Sequence, residues 1–201
     1  MKNKSMLLIG FGAGILVCLL VPILLLAMGV INVGADVKPG LVERTLAPWA
    51  RDRSVAKHAS KEKSPNAGDL AAIATGLDHY RENCLMCHGA REIAGAELSK
   101  GLNPSAPSLD KGEKNTPDGE LFWIIKHGLR MTPMPAFGPT HTDEEIWKIV
   151  AFIRHLPELN AQERASLQPE DSAGAHHHGT ETNAIPDKAA QAVQPEHQGT
   201  P

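Results

Sequence analysis

Residues 7–33 contain no charged side chain, with Lys4 before the run and Asp36 after it. At ~1.5 Å rise per residue, a helix of that length exceeds the ~30 Å hydrocarbon layer of a bilayer. The pattern predicts a transmembrane anchor over residues 1–34. A cleavable signal peptide is the competing reading, but its apolar core extends over only ~7–15 residues, so a retained helix is expected. Pro22, in the middle of the run, is tolerated in a membrane helix. Cys18 lies among apolar residues and reads as a membrane thiol rather than a lipid attachment site. Residues 35–67 then turn polar and basic. Pro48 is placed to open a short helix to about Ala59, on which Trp49, Val55, Ala56 and Ala59 form a ragged apolar stripe. That segment is expected to be a solvated linker, with a basic arm on anionic headgroups as the alternative.

From residue 68 to 158 the periodicity becomes that of a globular helical domain. Ser64-Pro65 is read as a helix opening. Leu70, Ile73, Ala74 and Leu77 follow at i, i+3, i+4 and i+7, and Tyr80 and Cys84 extend the face. Gly76 permits another helix to come close. Residues 89–117, rich in Gly, Pro, Ser, Lys and Asp, read as long loops, which a compact domain tolerates if they wrap a large flat group. Pro117, with Asp118 and Glu120 in the first turn, opens a second helix whose apolar face is Leu121, Ile124, Ile125 and Leu129. Trp123 is assigned to the core, with a place against that flat group as the alternative. Thr142-Asp143-Glu144-Glu145 is a capping box, and Ile146, Ile149, Val150 and Ile153 stripe a third helix that Pro157 ends. With no convincing strand, the fold class is all-α.

Net charge is −3, yet residues 1–67 hold nine Lys/Arg against four Asp/Glu, so the basic charge is gathered at the N-terminal end. No stretch combines enough basic and aromatic residues to suggest nucleic acid binding. The three cysteines carry the chemistry. Cys84-Leu85-Met86-Cys87-His88 is the attachment signature for a covalent c-type haem: two thiols on one helical turn reach the vinyl groups, and the following imidazole becomes an iron ligand. A tetrahedral zinc site would want a second cysteine pair, and the only other cysteine is Cys18. A thioredoxin-like pair would want a βαβ setting. A low-spin haem also needs a sixth ligand. Met131 and Met134 compete for that role; Met134, between Pro133 and Pro135, is held in an extended loop suited to presenting its thioether, and Met131 is read as packing. The site residues expected on this reading are Cys84, Cys87, His88 and Met134, with His88 and Met134 on the metal.

These motifs, Cys84–His88, Met134-Pro135-Ala136-Phe137 and the helix from Asp143 to Leu156, resemble class I cytochromes c over about residues 68–157. The resemblance implies three main helices and long loops around one haem c. It implies that the first and last helices cross, with Gly76 and Tyr80 against the face around Phe152. It also implies that the Pro107 carbonyl, with Pro104 as alternative, accepts the second imidazole proton of His88. In such families haem is attached outside the inner membrane, which places the haem domain on the periplasmic side; the flanking charges do not by themselves favour that orientation.

Residues 159–201 hold no aromatic residue and are expected to be disordered after a short helical continuation. His176-His177-His178 is read as a solvated tract, with weak metal binding as alternative. The expected function is a one-electron carrier, not an enzyme. Its partners would be membrane or periplasmic redox proteins: a cytochrome, a quinol-oxidising complex, an oxidase or a dehydrogenase. A haem enzyme or gas sensor with an open sixth iron position is the alternative.

Overall fold

The computed structural model describes residues 2–112 and 115–168. The stretch after 168, with its triple-histidine tract, lies outside them. Among the described residues the chain is helical, and the β-type contact there is an isolated bridge between Ala90 and Ile93.

Helix α1 runs Lys2–Ala27 and carries Pro22 without interruption. Its segment Met6–Ala27 is long and apolar enough to cross a membrane, and none of that segment is buried against the protein. Helix α2, Leu41–His58, starts seven residues before Pro48, so Pro48 is an interior residue and not the opening one. Gly40 in extended backbone starts the helix, and the Thr45 hydroxyl donates to the Leu41 carbonyl at 2.9 Å, inside the turns preceding the proline. This segment is not the solvated linker expected. Val55 is 4% exposed, His58 stacks on Trp123 with ring centroids 6.1 Å apart, and the Asn103 amide donates to the carbonyls of Ala35 and Val37 at 3.0 and 3.1 Å.

Helix α3, Leu70–Asn83, is opened by Asp69 and not by Ser64-Pro65. The Asp69 carboxylate accepts from the amides of Ala71 and Ala72 at 2.9 and 3.3 Å. Gly68, at φ +77°, blocks any helix from continuing through it. Ser64 instead donates its amide to Asp118 Oδ2 at 2.8 Å. The buried face is Ala72, Ile73, Gly76, Leu77 and Tyr80, and Leu70 and Ala74 of the expected stripe are exposed. Two single-turn helices follow, α4 (Leu85–His88) and α5 (Leu109–Gly112). Helix α6 is Asp118–His127, with Pro117 as its cap rather than its first residue. Helix α7, Asp143–His155, has the expected capping box between Thr142 and Glu145. The helical continuation after Pro157 is α8, Ala161–Leu167, capped by Asn160 and Glu163. It packs: Leu159 and Leu167 are buried with Leu156, and His155 meets Glu163 at 3.0 Å. The folded unit thus reaches Gln168.

The core is the crossing of α3 and α7. A Cβ on Gly76 would stand 2.1 Å from the Lys148 carbonyl oxygen and 2.9 Å from Phe152 Cβ. One turn on, Tyr80 and Phe152 pack with ring centroids 5.2 Å apart, both fully buried. Trp123 is half-buried between His58 and His127 rather than in this core.

Arg154 of α7 joins α6 to the segment before α3. Its Nε donates to Asp118 Oδ1 at 2.7 Å, and its Nη2 bonds the Thr116 carbonyl. Burial opposes charge on Asp118, but the Ser64 amide and the Arg154 guanidinium outweigh it and hold the carboxyl below the usual carboxylate range.

Two outcomes follow. Gly76→Ala should destabilise the domain by about 1–3 kcal/mol through overpacking, seen as a lower urea midpoint with unchanged slope. A lowered folded-state carboxyl pKa gives stability that is complete above ~4 and lost as pH falls through the folded value. Asp118→Asn should therefore cost about 1–3 kcal/mol at neutral pH and flatten the decline of stability with acid below pH ~4, read from urea curves across that range.

Candidate functional site

The last turn of α3 delivers the first cysteine. The Cys84 amide donates to the Tyr80 carbonyl at 2.8 Å, and the amides of Cys87 and His88 both return to the Cys84 carbonyl, at 3.1 and 2.9 Å. The turn is closed by Gly89 at φ +62°, where a Cβ would come within 2.5 Å of the Ile93 carbonyl oxygen. The buried Tyr80 hydroxyl donates to the Gly89 carbonyl at 2.6 Å, tying the end of the motif to the helix that leads into it. Burial, then the charges of Cys84 and Asp110, push the Tyr80 phenol far up, so it remains a donor at working pH. Cys84 and Cys87 do not form a disulfide with each other. Burial first, and then Cys87, push the Cys84 thiol up to about 12.

His88 Nδ1 lies 2.8 Å from the Pro107 carbonyl oxygen. A carbonyl can only accept, so Nδ1 carries the proton and Nε2 presents its lone pair. This is the contact implied for Pro107, and it fixes both tautomer and ring orientation.

The methionine loop is pinned to the end of α6. Phe137 donates its amide to the Ile125 carbonyl at 3.0 Å and Gly138 to that of Lys126 at 2.9 Å. Gly128 ends α6 at φ +66°, and a Cβ there would be 2.7 Å from the Ala136 amide nitrogen. Within the loop the Leu129 amide donates to the Met134 carbonyl at 3.2 Å, and the Met134 amide to Thr132 Oγ1 at 3.2 Å. Thr132 in turn donates its hydroxyl to the Leu129 carbonyl at 2.7 Å. Met131 is not packing: it is 92% exposed at φ +62°, on the outer side of this turn.

Cys84, Cys87, His88 and Met134 all line one cavity of about 490 Å³, within the ~300–1,000 Å³ of cofactor sites. Its apolar wall comes from Leu102, Leu109, Leu121, Ile124, Ile125 and Ile153. The donor set fits haem c: two sulfurs for vinyl carbons, an imidazole nitrogen, and a thioether in an apolar slot. Three lining residues, Arg51, Asp52 and Val55, come from α2. The sequence reading left them out because α2 has no clean apolar stripe; one buried residue, Val55, seats it. It also left out the Tyr80 and Thr132 hydroxyls, whose partners are loop carbonyls that periodicity does not reach.

Comparison with known families matches residues 71–153 to "Cytochrome C oxidase, cbb3-type, subunit III". A crystal structure of Cytochrome CL from the marine methylotrophic bacterium Methylophaga aminisulfidivorans MPT is similar over 70% of this chain and 89% of that one, at 22% identity and a TM-score of 0.36. Comparison with curated proteins gives no match. The matched segment brackets the attachment turn, the Met134 loop and the crossing of α3 with α7.

Proposed function

We propose that this chain is a membrane-anchored cytochrome that passes single electrons through one haem c, held by thioethers from Cys84 and Cys87 and by His88 and Met134 as axial ligands. The observation that carries the proposal is the meeting of these four residues on one apolar cavity. When bound, the haem supplies an iron that exchanges one electron between its ferric and ferrous states. The chain's own residues do the rest. Pro107 orients the His88 ring and leaves Nε2 as the donor atom. Thr132 and the ties at Phe137 and Gly138 hold the Met134 loop in place, so little moves when the charge changes. The aliphatic wall excludes water and, with a methionine thioether, favours the ferrous state and a high potential.

Helix α1 is the proposed anchor in the inner membrane, with the haem domain on the periplasmic side, and its fully exposed apolar surface supports this. Confinement to the membrane plane would raise encounters with membrane redox complexes. The matched family's description, a subunit of cbb3-type cytochrome c oxidase, supports partners within an oxidase or respiratory complex.

Met134→Ala should retain covalent haem on a denaturing gel stained for peroxidase activity. It should lose the long-wavelength charge-transfer band of methionine-ligated ferric haem and show a lower midpoint potential; an unchanged band and potential would contradict the ligand assignment. In the native host, the full chain should resist alkaline carbonate extraction of membranes, and a version with residues 1–34 replaced by a cleavable secretion signal should be released as soluble holoprotein. Release of the full chain by carbonate would contradict the anchor.

A further inference from the structure

Helix α2 lies outside the segment that matches the cytochrome family, yet it forms part of the cofactor cavity. Arg51, Asp52 and Val55 stand on one face of it, at i, i+1 and i+4, and all three line the cavity. The helix is seated rather than resting there. Val55 is buried, His58 stacks on Trp123 of α6, and the Ser60 carbonyl after the helix sits where a Cβ on Gly119 would come within 2.0 Å.

Among the described residues lining the cavity, Arg51 is the one lysine or arginine. The other charged side chains there, Asp52 and Glu120, are acids. A haem brings two propionate carboxylates, which need donors and opposite charge where they leave an apolar slot. Arg51 Nε donates to Asp52 Oδ1 at 2.8 Å, an arrangement that steadies the guanidinium plane and leaves its Nη donors for a second acceptor. A planar fork of that kind matches a carboxylate in bidentate geometry. The pair with Asp52 adds little stability by itself, since its side chains are 46% and 66% exposed. A contribution to cofactor binding gives that residue a role which stability does not.

We infer that Arg51 is a haem-binding residue: its guanidinium pairs with a haem propionate, so that the helix leading from the anchor is part of the cofactor site. The pair places positive charge near the iron, which disfavours the additional charge of the ferric state and raises the potential. It also fastens α2, and with it the approach from the membrane segment, to the cofactor.

This inference rests on the haem reading, and the test separates the two. The full-length holoprotein in detergent is compared with Arg51→Gln, Arg51→Lys and, as a control, Arg53→Gln. Arg53 lies over the Trp49 ring on α2 and does not line the cavity. The readouts are the midpoint potential and the propionate bending modes in resonance Raman spectra. Arg51→Gln should shift a propionate mode and lower the potential; Arg51→Lys should shift the mode while keeping the potential nearer the parent; Arg53→Gln should change neither. Propionate modes unchanged in Arg51→Gln overturn the inference, whatever happens to the potential. If that variant does not load haem, unchanged modes in Arg51→Lys overturn it. A parent protein without covalent haem would refute the haem reading itself.

Discussion

At Gly76 no side chain separates α3 from the Lys148 carbonyl of α7, and that contact sets where the rest of the domain can be. With the two backbones this close, Tyr80 meets Phe152 one turn later, in a space closed to water. Tyr80 is then placed to bond Gly89, so the turn bearing Cys84, Cys87 and His88 is fixed from both ends. The reactive sulfurs and the imidazole are therefore positioned by helix packing, and the loops take their place around them. A larger residue at 76 would move the attachment turn as a body.

The other half of the site is built differently. Met134 comes from a loop with no helical register, and its position depends on ties to α6: Phe137 and Gly138 to the last carbonyls of that helix, and Thr132 to both Leu129 and Met134. Prolines on either side of Met134 remove conformational freedom before folding, which lowers the entropic cost of presenting one side chain. The long segment from 89 to 117 meets the same need on the histidine side, where Pro107 receives the imidazole proton. One half of the cavity is thus rigid by crossing helices and the other by short-range hydrogen bonds.

Much of this was legible in the sequence, because the chemistry is local. Cys84 to His88 is one turn of chain, the Thr142–Glu145 capping box is four residues, and the apolar stripe of α7 repeats at the helical period. What escaped depended on contacts distant in sequence. Asp69 and not Ser64 caps α3 because Gly68, at φ +77°, breaks the helical path between them, while the Ser64 amide is held by Asp118, 54 positions away. The segment from 35 to 67 looked like a solvated linker since its stripe is ragged; a single buried valine and one aromatic stack seat it. Met131 was assigned to packing by its residue type, but φ +62° turns it outward. The chain after Pro157 was too poor in aromatics to suggest a packed helix, and leucines at 159 and 167 suffice.

The claim on which the account depends is that iron sits between an imidazole nitrogen of His88 and the sulfur of Met134, inside a cavity these residues share. Iron K-edge X-ray absorption on the purified, oxidised holoprotein tests it directly. The account predicts a first shell of five nitrogen scatterers and one sulfur at bonding distance. A shell without sulfur, or a well-folded protein without iron, would contradict it.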